Sequence, residues 1–385
     1  MVERKLNSGE KFKKYKYYIL VGVILLIFVG IFQNQLRQIG TFIFGVTIDK
    51  TIDLVKRKES FNILLLGIAG GKHDGPKLTD TIILANVNVD QNKVHMFSIP
   101  RDLWVPSLER KINSVYAIGE LEDKGIELSR DAIEDLTGQK VDYVLVLDFQ
   151  GFTKIIDHLG GISVKVENSF TDNEYPITGK EEDTCGKSEE EFEALATASS
   201  QLEAFPCRYK TISFERGEQV MDGETALEFV RSRHGTNGEG SDFARSKRQQ
   251  VIIAGLREKV FSLGVILNPV KVLGIYNILT DNINTDIDTE KIDDFVKLAD
   301  KMQDGEIKSY VIDDGNEADE RWGLLLNPPI SKDYGFQYVL IPRKGVGDYS
   351  EISEYVACII SGKDCLIGNK GLIIATPTPV EEKAN

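Results

Sequence analysis

The sequence predicts an α/β protein in which a mixed central sheet lies between layers of helices, preceded by one transmembrane helix. Three observations support this prediction. Strand patterns cluster early in the chain, helical patterns alternate with further strands after them, and one long uncharged apolar stretch lies near the N-terminus. Strands and helices that alternate in this way typically form a sheet with helices packed on its faces.

The strand patterns begin soon after the apolar stretch. The continuous apolar run Phe61–Ile68 predicts a strand that is covered on both faces. Thr81–Val89 and Lys93–Ile99 are joined by a short polar turn and therefore predict a hairpin. Val141–Leu147 and Ile162–Val166 predict two further strands.

Three segments carry the spacing or the end signals of helices. Phe149–Leu159 has apolar residues at helical spacing and is followed by Gly160, a common helix stop. Asp222 is a suitable N-cap for a short helix. A longer helix is predicted from Asp242 to about residue 263, with one apolar side.

The uncharged apolar stretch, Tyr17–Phe32, predicts a membrane anchor. With the residues up to Leu36 it approaches the roughly 20 residues that a helix needs to cross a bilayer. Six basic and two acidic residues precede it, which predicts a cytoplasmic N-terminus, and no small-residue cleavage site follows it. We therefore expect a single-pass protein of the cell membrane with a large extracytoplasmic domain.

These patterns predict an order of segments along the chain. The predicted segments are a cytoplasmic basic segment (1–16), a transmembrane anchor (17–36), a juxtamembrane linker (37–58), the main domain (59–265) with an acidic insertion (178–207), a C-terminal α/β extension that packs on it (266–366), and a disordered tail (367–385).

Charge and cysteine content restrict the class of partner. The chain has 46 basic and 60 acidic residues, and because the first 16 residues are basic, the remainder carries −18. A domain with this negative charge is unsuited to non-specific binding of nucleic acid. The four cysteines fall into two local pairs, Cys185 with Cys207 and Cys358 with Cys365. Disulfides in an oxidising compartment explain these pairs, four buried thiols are the alternative, and the spacing argues against zinc.

Charged side chains gather at predicted strand ends and around one loop-to-helix junction. Each group alone has a structural alternative: a turn residue, a surface ion pair, or a solvated helix face. Together, carboxylates and arginines are what phosphoryl transfer needs, since carboxylates hold Mg²⁺ and arginines neutralise phosphate charge. The candidates are Asp80, Arg101, Asp102, Lys111, Arg231, Arg233, Asp242 and Arg245.

Six ordered segments carry a family resemblance. The chain resembles the LytR-CpsA-Psr family of membrane-anchored bacterial cell-wall transferases over roughly residues 60–260. The matching segments are TDTIILANV (79–87), SIPRDLWV (98–105), KINSVYAIG (111–119), VDYVLVLDFQGFTKIIDHLGGISVKV (141–166), MDGETALEFVRSRHG (221–235) and DFARSKRQQ (242–250).

The resemblance implies a sheet between helices with an apolar tunnel for a polyprenyl chain. It implies transfer of a glycopolymer from a polyprenyl pyrophosphate carrier to a hydroxyl of peptidoglycan, which forms a phosphodiester. Mg²⁺ would assist, with Mn²⁺ as an alternative, and no nucleic acid would take part. A polyprenyl pyrophosphate hydrolase and a non-catalytic protein that binds lipid-linked glycan or acts as a regulator remain the alternatives.

Residue roles carried over from the family are also expectations. Asp80 and Asp102 match its metal carboxylates, and Asp102 is the expected base, with Asp242 as a weaker candidate. The expected pyrophosphate-binding residues are Arg101, Lys111, Asn113, Arg231, Arg233, Arg245 and Gln249. Many members carry an arginine two residues before the first aspartate; here that position is Leu78, with Lys77 beside it as a candidate replacement.

Overall fold

The computed structural model describes part of the chain, and the described residues form two units. The described residues are 54, 60–71, 75–195, 200–260, 262, 271, 274–275, 277–278, 283–288, 291–302, 304–316 and 320–374. One unit contains Leu54 and residues 291–298, where Lys297 Nζ donates to Asp294 Oδ1 at 3.3 Å; the other unit contains the remainder. The predicted anchor lies outside the described residues, within which no helix is both long and apolar enough to cross a bilayer.

Strands and helices alternate through the described residues. In chain order they are β1 (Ser60–Ile68), β2 (Thr79–Asn88), β3 (Lys93–Ser98), β4 (Trp104–Val105), β5 (Arg110–Lys111), α1 (Val115–Gly119), α2 (Gly125–Thr137), β6 (Tyr143–Asp148), α3 (Phe149–Leu159), β7 (Ile162–Val166), β8 (Phe170–Pro176), α4 (Glu189–Leu195), α5 (Gln201–Ala204), β9 (Tyr209–Phe214), β10 (Gly217–Met221), α6 (Gly223–Arg231), α7 (Asp242–Val260), β11 (Ile283–Thr285), α8 (Ile292–Lys301), β12 (Glu306–Val311), β13 (Gly315–Asn316), β14 (Arg321–Trp322), β15 (Leu325–Leu326), β16 (Ile341–Pro342), α9 (Ser350–Ile360), β17 (Cys365–Ile367) and β18 (Leu372–Ile374).

The central sheet is mixed, as predicted. Its order is β11-β6-β1-β2-β3-β12. The pairs β1–β2, β2–β3 and β6–β11 are antiparallel, whereas β1–β6 and β3–β12 are parallel. Both outer strands come from beyond residue 266, so the C-terminal part of the chain supplies strands to this sheet.

Helices cover both faces of the sheet. Successive residues of its strands point to opposite faces, and the residues of each face pack in a separate apolar cluster. On one face, Leu64 and Leu84 pack in a core that includes Ile133 of α2 and Ile352 of α9. On the other face, Ile83 packs in a smaller cluster that Ile253 of α7 joins. The continuous apolar run in β1 therefore reflects burial on both sides.

Several local predictions are confirmed. β2 and β3 form the predicted hairpin, and α3 occupies the predicted range. Gly160 ends α3 with a φ of +79°, a conformation that favours glycine. The Asp222 carboxylate caps α6 by accepting from the Thr225 backbone N–H. β7 forms where expected, but it pairs with β10 outside the central sheet.

Two disulfides tie down local loops. Cys185 bonds to Cys207 across the acidic insertion, and Cys358 bonds to Cys365 between α9 and β17. In the insertion, the Arg208 guanidinium stacks over the Phe205 ring at 4.0 Å, and its Nε donates to the Asp183 carbonyl. The insertion is therefore held by the disulfide and by one arginine.

We expect a Cys185→Ser/Cys207→Ser variant to lose about 3 kcal/mol of unfolding free energy, because the 22-residue loop regains entropy in the unfolded chain. Urea unfolding under oxidising conditions measures this loss. A Thr184→Ser variant, which keeps the disulfide, is the control. A double variant as stable as the control would contradict the expectation.

Candidate functional site

Two arginines contact one carboxylate at the end of the central sheet where β2 begins and β3 ends. Asp80 lies at the start of β2, Arg101 follows β3, and Arg233 follows α6. Arg101 Nη1 lies 2.7 Å and Arg233 Nη2 lies 3.2 Å from the same oxygen, Asp80 Oδ1. Residues more than 150 positions apart thus form one charged cluster in which cations outnumber carboxylates. We call Asp80, Arg101, Arg233 and Arg245 the Asp80 cluster.

The arginines keep Asp80 ionised. Burial alone would raise the pKa of the Asp80 carboxyl, but the charges of Arg233, Arg101 and Arg245 outweigh burial and hold that pKa below its usual value. The carboxylate therefore carries its negative charge at neutral pH. Its side chain remains 34% exposed.

Two cavities flank the Asp80 cluster. The first encloses about 580 Å³ and the second about 430 Å³. Five residues line both of them: Asp80, Thr81, Arg101, Arg245 and Gln249. A ligand in either cavity would therefore meet Arg101 and Arg245.

The walls of the two cavities differ. The first cavity is completed by the segment 311–316 and by Phe243, Arg321 and Tyr338. The second cavity is completed by aromatic and basic side chains that include Phe149, Tyr175, Tyr209, Arg231, Arg233 and His234. Arg321 and residues 311–316 come from the region after residue 266, so that region forms a wall of the candidate site.

Arg231 is held by aromatic rings in the second cavity. Its guanidinium lies 4.4 Å from the Phe149 ring centroid, and Nη1 donates to the Tyr175 hydroxyl at 3.4 Å. Stacking of this kind fixes the plane of a guanidinium while its edge can still donate hydrogen bonds. Phe149 and Tyr175 were not predicted from the sequence, since neither belongs to a charged pattern.

Asp102 and Lys111 lie behind the cluster. Asp102 is buried; its Oδ1 accepts from Lys111 Nζ at 2.7 Å and its Oδ2 lies 3.4 Å from Arg101 Nε. Neither residue is among those that line the two cavities, nor is Asn113, whose backbone carbonyl accepts from Thr79 Oγ1. Asp102 and Lys111 therefore form an ion pair beside the Asp80 cluster, outside the lining of these two cavities.

The remaining candidates divide. Gln249 Nε2 donates to Thr81 Oγ1 at 3.0 Å, in the wall that the cavities share. α7 begins at Asp242, but the side chain of Asp242 lies outside the described residues. Lys77 forms an ion pair with Glu120 at 2.8 Å and does not line either of these cavities, whereas Leu78 lines the second cavity.

Two buried charged residues, both missed as functional by the sequence analysis, organise the loop after α6. Asp172 is 1% exposed, and its Oδ2 accepts from Ser232 Oγ at 2.7 Å and from the backbone N–H groups of Arg233 and His234. Arg248 is 3% exposed and donates to the carbonyl oxygen of Ser232. This loop carries Arg233 to Asp80, so both residues set the position of a cluster arginine.

A divalent cation fits the site through Asp80. Both arginine contacts fall on Asp80 Oδ1, and Mg²⁺ is commonly held by one or two carboxylates together with substrate phosphates. Asp102 suits a metal less well, because cations already contact both of its oxygens. Among the described residues, three metal-ligating side chains come together only at Asp183, Cys185 and Cys207, where both cysteines are in a disulfide.

The chain is similar to known proteins over most of its length. The sequence model of the LytR_cpsA_psr family matches residues 40–322. The polyisoprenyl-teichoic acid–peptidoglycan teichoic acid transferase TagU of Oceanobacillus iheyensis is 28% identical over 308 residues, which cover 75% of this chain and 82% of that protein. The regulatory protein MsrR of Staphylococcus aureus is 28% identical over 238 residues, 60% of this chain and 58% of that protein. The crystal structure of the Lin1025 protein from Listeria innocua matches with a TM-score of 0.51 at 25% identity, covering 79% of this chain and 98% of that one.

Proposed function

Since this chain belongs to the LytR-CpsA-Psr family, we propose that it moves a glycopolymer from a polyprenyl pyrophosphate carrier to a hydroxyl of peptidoglycan. The product is a phosphodiester. The name of the related TagU protein, a teichoic acid transferase that acts on peptidoglycan, supports this reaction class. The geometry of the Asp80 cluster supports a diphosphate as the group that is bound.

The observation that carries the proposal is the convergence of arginines between two cavities. Arg101, Arg233 and Arg245 line the second cavity together with Arg231. Guanidinium groups bind phosphate oxygens through paired hydrogen bonds, and a diphosphate offers enough oxygens for several of them. The two cavities then give the two sides of the diphosphate, lipid and glycan, separate paths away from the cluster.

The proposed reaction is a displacement at phosphorus. The acceptor oxygen bonds to the sugar-proximal phosphorus, the bridging phosphorus–oxygen bond breaks, and polyprenyl phosphate leaves with the electron pair. Arg101, Arg233 and Arg245 stabilise the charge that develops on the phosphate oxygens. When bound at Asp80, Mg²⁺ would supply further stabilisation of that charge.

The acceptor hydroxyl must lose a proton, and Asp102 and Asp242 are the two candidate bases. Asp102 lies between Lys111 and Arg101, so it also holds these two cations in position. Asp242 is at the start of α7. Asp80 binds the arginines and would hold the metal.

The cellular setting is part of the proposal. Residues 17–36 anchor the protein with the N-terminus in the cytoplasm, and the domain from residue 59 onward works outside the membrane. Two disulfides agree with an oxidising exterior. Donor lipid and peptidoglycan are both available on that side.

The test uses the full-length protein in vesicles with a polyprenyl pyrophosphate-linked oligosaccharide, peptidoglycan fragments and Mg²⁺. We expect mass spectrometry to detect a phosphodiester-linked conjugate together with polyprenyl phosphate. Asp80→Asn should lower the rate at least about 100-fold, because the cluster loses the charge that orders its arginines. Asp90→Asn, at an exposed turn between β2 and β3, is the matched control.

Three other outcomes would contradict the proposal. Free sugar phosphate without conjugate would identify a hydrolase. Intact donor that remains bound to the protein would identify a capture protein. An Asp80→Asn variant with the rate of the control would show that the reaction does not depend on the Asp80 cluster.

A further inference from the structure

A long loop beside the first cavity exposes apolar side chains. The strands β15 and β16 pair through Leu326 and Ile341, and the 14 residues between the two strands, 327–340, form the loop that we call the apolar loop. Ile330 is 64% exposed and Phe336 is 71% exposed. Apolar side chains grouped in one exposed segment commonly mark an interaction surface.

The conformation of this loop holds Phe336 outward. Phe336 has a φ of +55°, which is unfavourable for a bulky residue, and its backbone N–H donates to the Ser331 carbonyl oxygen. The loop is also attached to the domain, since the Tyr334 ring packs edge-on against Trp104 with centroids 5.5 Å apart. Asn327 Nδ2 donates to the Val339 carbonyl oxygen across its base. The exposed phenylalanine is therefore part of an ordered loop.

The apolar loop is continuous with the candidate site. Tyr338 and Leu340, at its C-terminal end, line the first cavity together with Asp80 and Arg101. The loop that exposes Ile330 and Phe336 therefore also supplies part of the wall of the cavity that contains the cluster.

The charge and the side-chain types of the apolar loop indicate which kind of partner covers it. The loop carries one basic and one acidic residue, Lys332 and Asp333, whereas the whole chain carries −14. This segment therefore avoids the repulsion that an acidic surface meets at anionic lipids. The exposed side chains of Leu326, Ile330 and Phe336 consist only of hydrocarbon, which suits burial among lipid chains. Tyr338 adds an aromatic ring with a polar end, a residue type enriched at membrane interfaces.

We infer that the apolar loop inserts into the surface of the lipid bilayer and holds the mouth of the first cavity at the level of the lipid headgroups. The substrate side of this inference rests on the proposed function, since a polyprenyl pyrophosphate presents its diphosphate at that level. Insertion itself is a property of the loop and is measured without turnover. Loops and helices of this kind bind membranes by burying a few apolar side chains at the headgroup boundary.

The test places a fluorophore at the tip of the loop. All four cysteines of the chain are in disulfides, so an environment-sensitive thiol probe reacts at an introduced cysteine. The full-length Phe336→Cys protein is labelled and placed in vesicles of phosphatidylcholine with phosphatidylglycerol. Leu121→Cys is the matched control, because Leu121 is an 84% exposed apolar residue in a different part of the chain.

We expect brominated lipids to quench the probe at position 336 at least twofold and to leave the probe at 121 unchanged. No quenching at 336, or equal quenching at both positions, would overturn the inference. A signal at 336 that follows protein concentration at fixed lipid would point to a second copy of the chain. A signal that arises only when peptidoglycan fragments are added would point to the acceptor, and either result would also overturn the inference.

A second measurement separates this inference from the proposed function. An Ile330→Ser/Phe336→Ser variant should turn over a detergent-solubilised donor at the normal rate and a vesicle-held donor at least tenfold more slowly. Equal rates in vesicles and detergent would overturn the inference while leaving the transferase intact. If the unsubstituted protein shows no turnover, the proposed function fails, and lipid quenching still decides whether the loop inserts.

Discussion

Asp172→Ala is expected to lower the free energy of unfolding by about 3–4 kcal/mol and to raise the KM for the lipid-linked donor more than tenfold. The Asp172 carboxylate is buried and accepts four hydrogen bonds: one from the Ser232 hydroxyl and three from backbone N–H groups. Alanine would leave these donors without an acceptor in the interior, where each unmade bond costs roughly 1–3 kcal/mol. The loop that presents Arg233 would move, and Asp80 would lose one of its two bonded cations.

The pH dependence of stability tests whether the charge of Asp172 matters. Burial opposes ionisation, but the hydrogen bonds from Ser232 and from the backbone outweigh burial and lower the pKa of Asp172 in the folded protein. A lowered pKa means that the stabilising contribution is complete above the unfolded-state pKa, near 4, and is lost as pH falls through the folded-state pKa. Asp172→Asn should therefore be less stable than the unsubstituted protein at pH 7, with the difference shrinking below about pH 4.

Urea unfolding across pH provides this measurement, and steady-state kinetics provides the KM. Asp131→Asn, an exposed aspartate on α2, is the control and should match the unsubstituted protein in both experiments. If Asp172→Ala unfolds at the same urea concentration as the control, the hydrogen-bond network around Ser232 contributes nothing. If its stability falls but its KM does not change, the network stabilises the fold without positioning Arg233.

The parts of the fold that depend on local sequence were predictable. The range of α3 and its end at Gly160 follow from apolar spacing and from a residue that tolerates a positive φ. The β2–β3 hairpin follows from alternation and a short turn. The pairing of β3 with β12 was not predictable, because the paired residues are more than 200 positions apart in the chain and no local pattern encodes that contact.

In the candidate site, too, local sequence identified some residues, and long-range packing decided the position of others. The charged residues Asp80, Arg101 and Arg233 were identifiable from their places at strand and helix ends, and the fold brings them together. Arg248 lies in the same basic run as Arg245, yet it is buried and bonds to backbone carbonyl oxygens, whereas Arg245 lines both cavities. A sequence shows that both are arginines, but only the packing of α7 shows which one faces the ligand.

One wall of the first cavity was also not predictable from the sequence. Residues 311–316 and Tyr338 are far along the chain from the charged motifs and carry no pattern that marks them as cavity walls. Residues 311–316 reach the Asp80 cluster because β12 pairs with β3, which places the end of β12 beside the end of β3 and hence beside Arg101. One long-range strand pair therefore determines both the edge of the sheet and one wall of the candidate site.

Arg101→Lys is expected to lower kcat/KM for transfer roughly 100-fold even though the positive charge remains. Arg101 bridges two carboxylates, with Nη1 at 2.7 Å from Asp80 Oδ1 and Nε at 3.4 Å from Asp102 Oδ2. A lysine ammonium is a single point of contact and cannot span both carboxylates while also offering a paired donor edge to phosphate. Losing such a contact typically costs about 2–5 kcal/mol, and roughly 100-fold corresponds to about 2.7 kcal/mol.

Arg101→Gln separates charge from geometry. The Arg101 charge is one of the causes that lower the pKa of Asp80 against the opposing effect of burial. Since Asp80 acts as a carboxylate, activity is lost as pH falls through its pKa, and removing a cation should move this acid limb of the kcat/KM profile to higher pH. Arg101→Lys retains the cation and should move the limb less. Arg110→Gln, an exposed arginine on β5, is the matched control and should leave the profile unchanged. If both Arg101 variants lose the same activity and neither shifts the acid limb, Arg101 acts on the substrate alone and does not set the ionisation of Asp80.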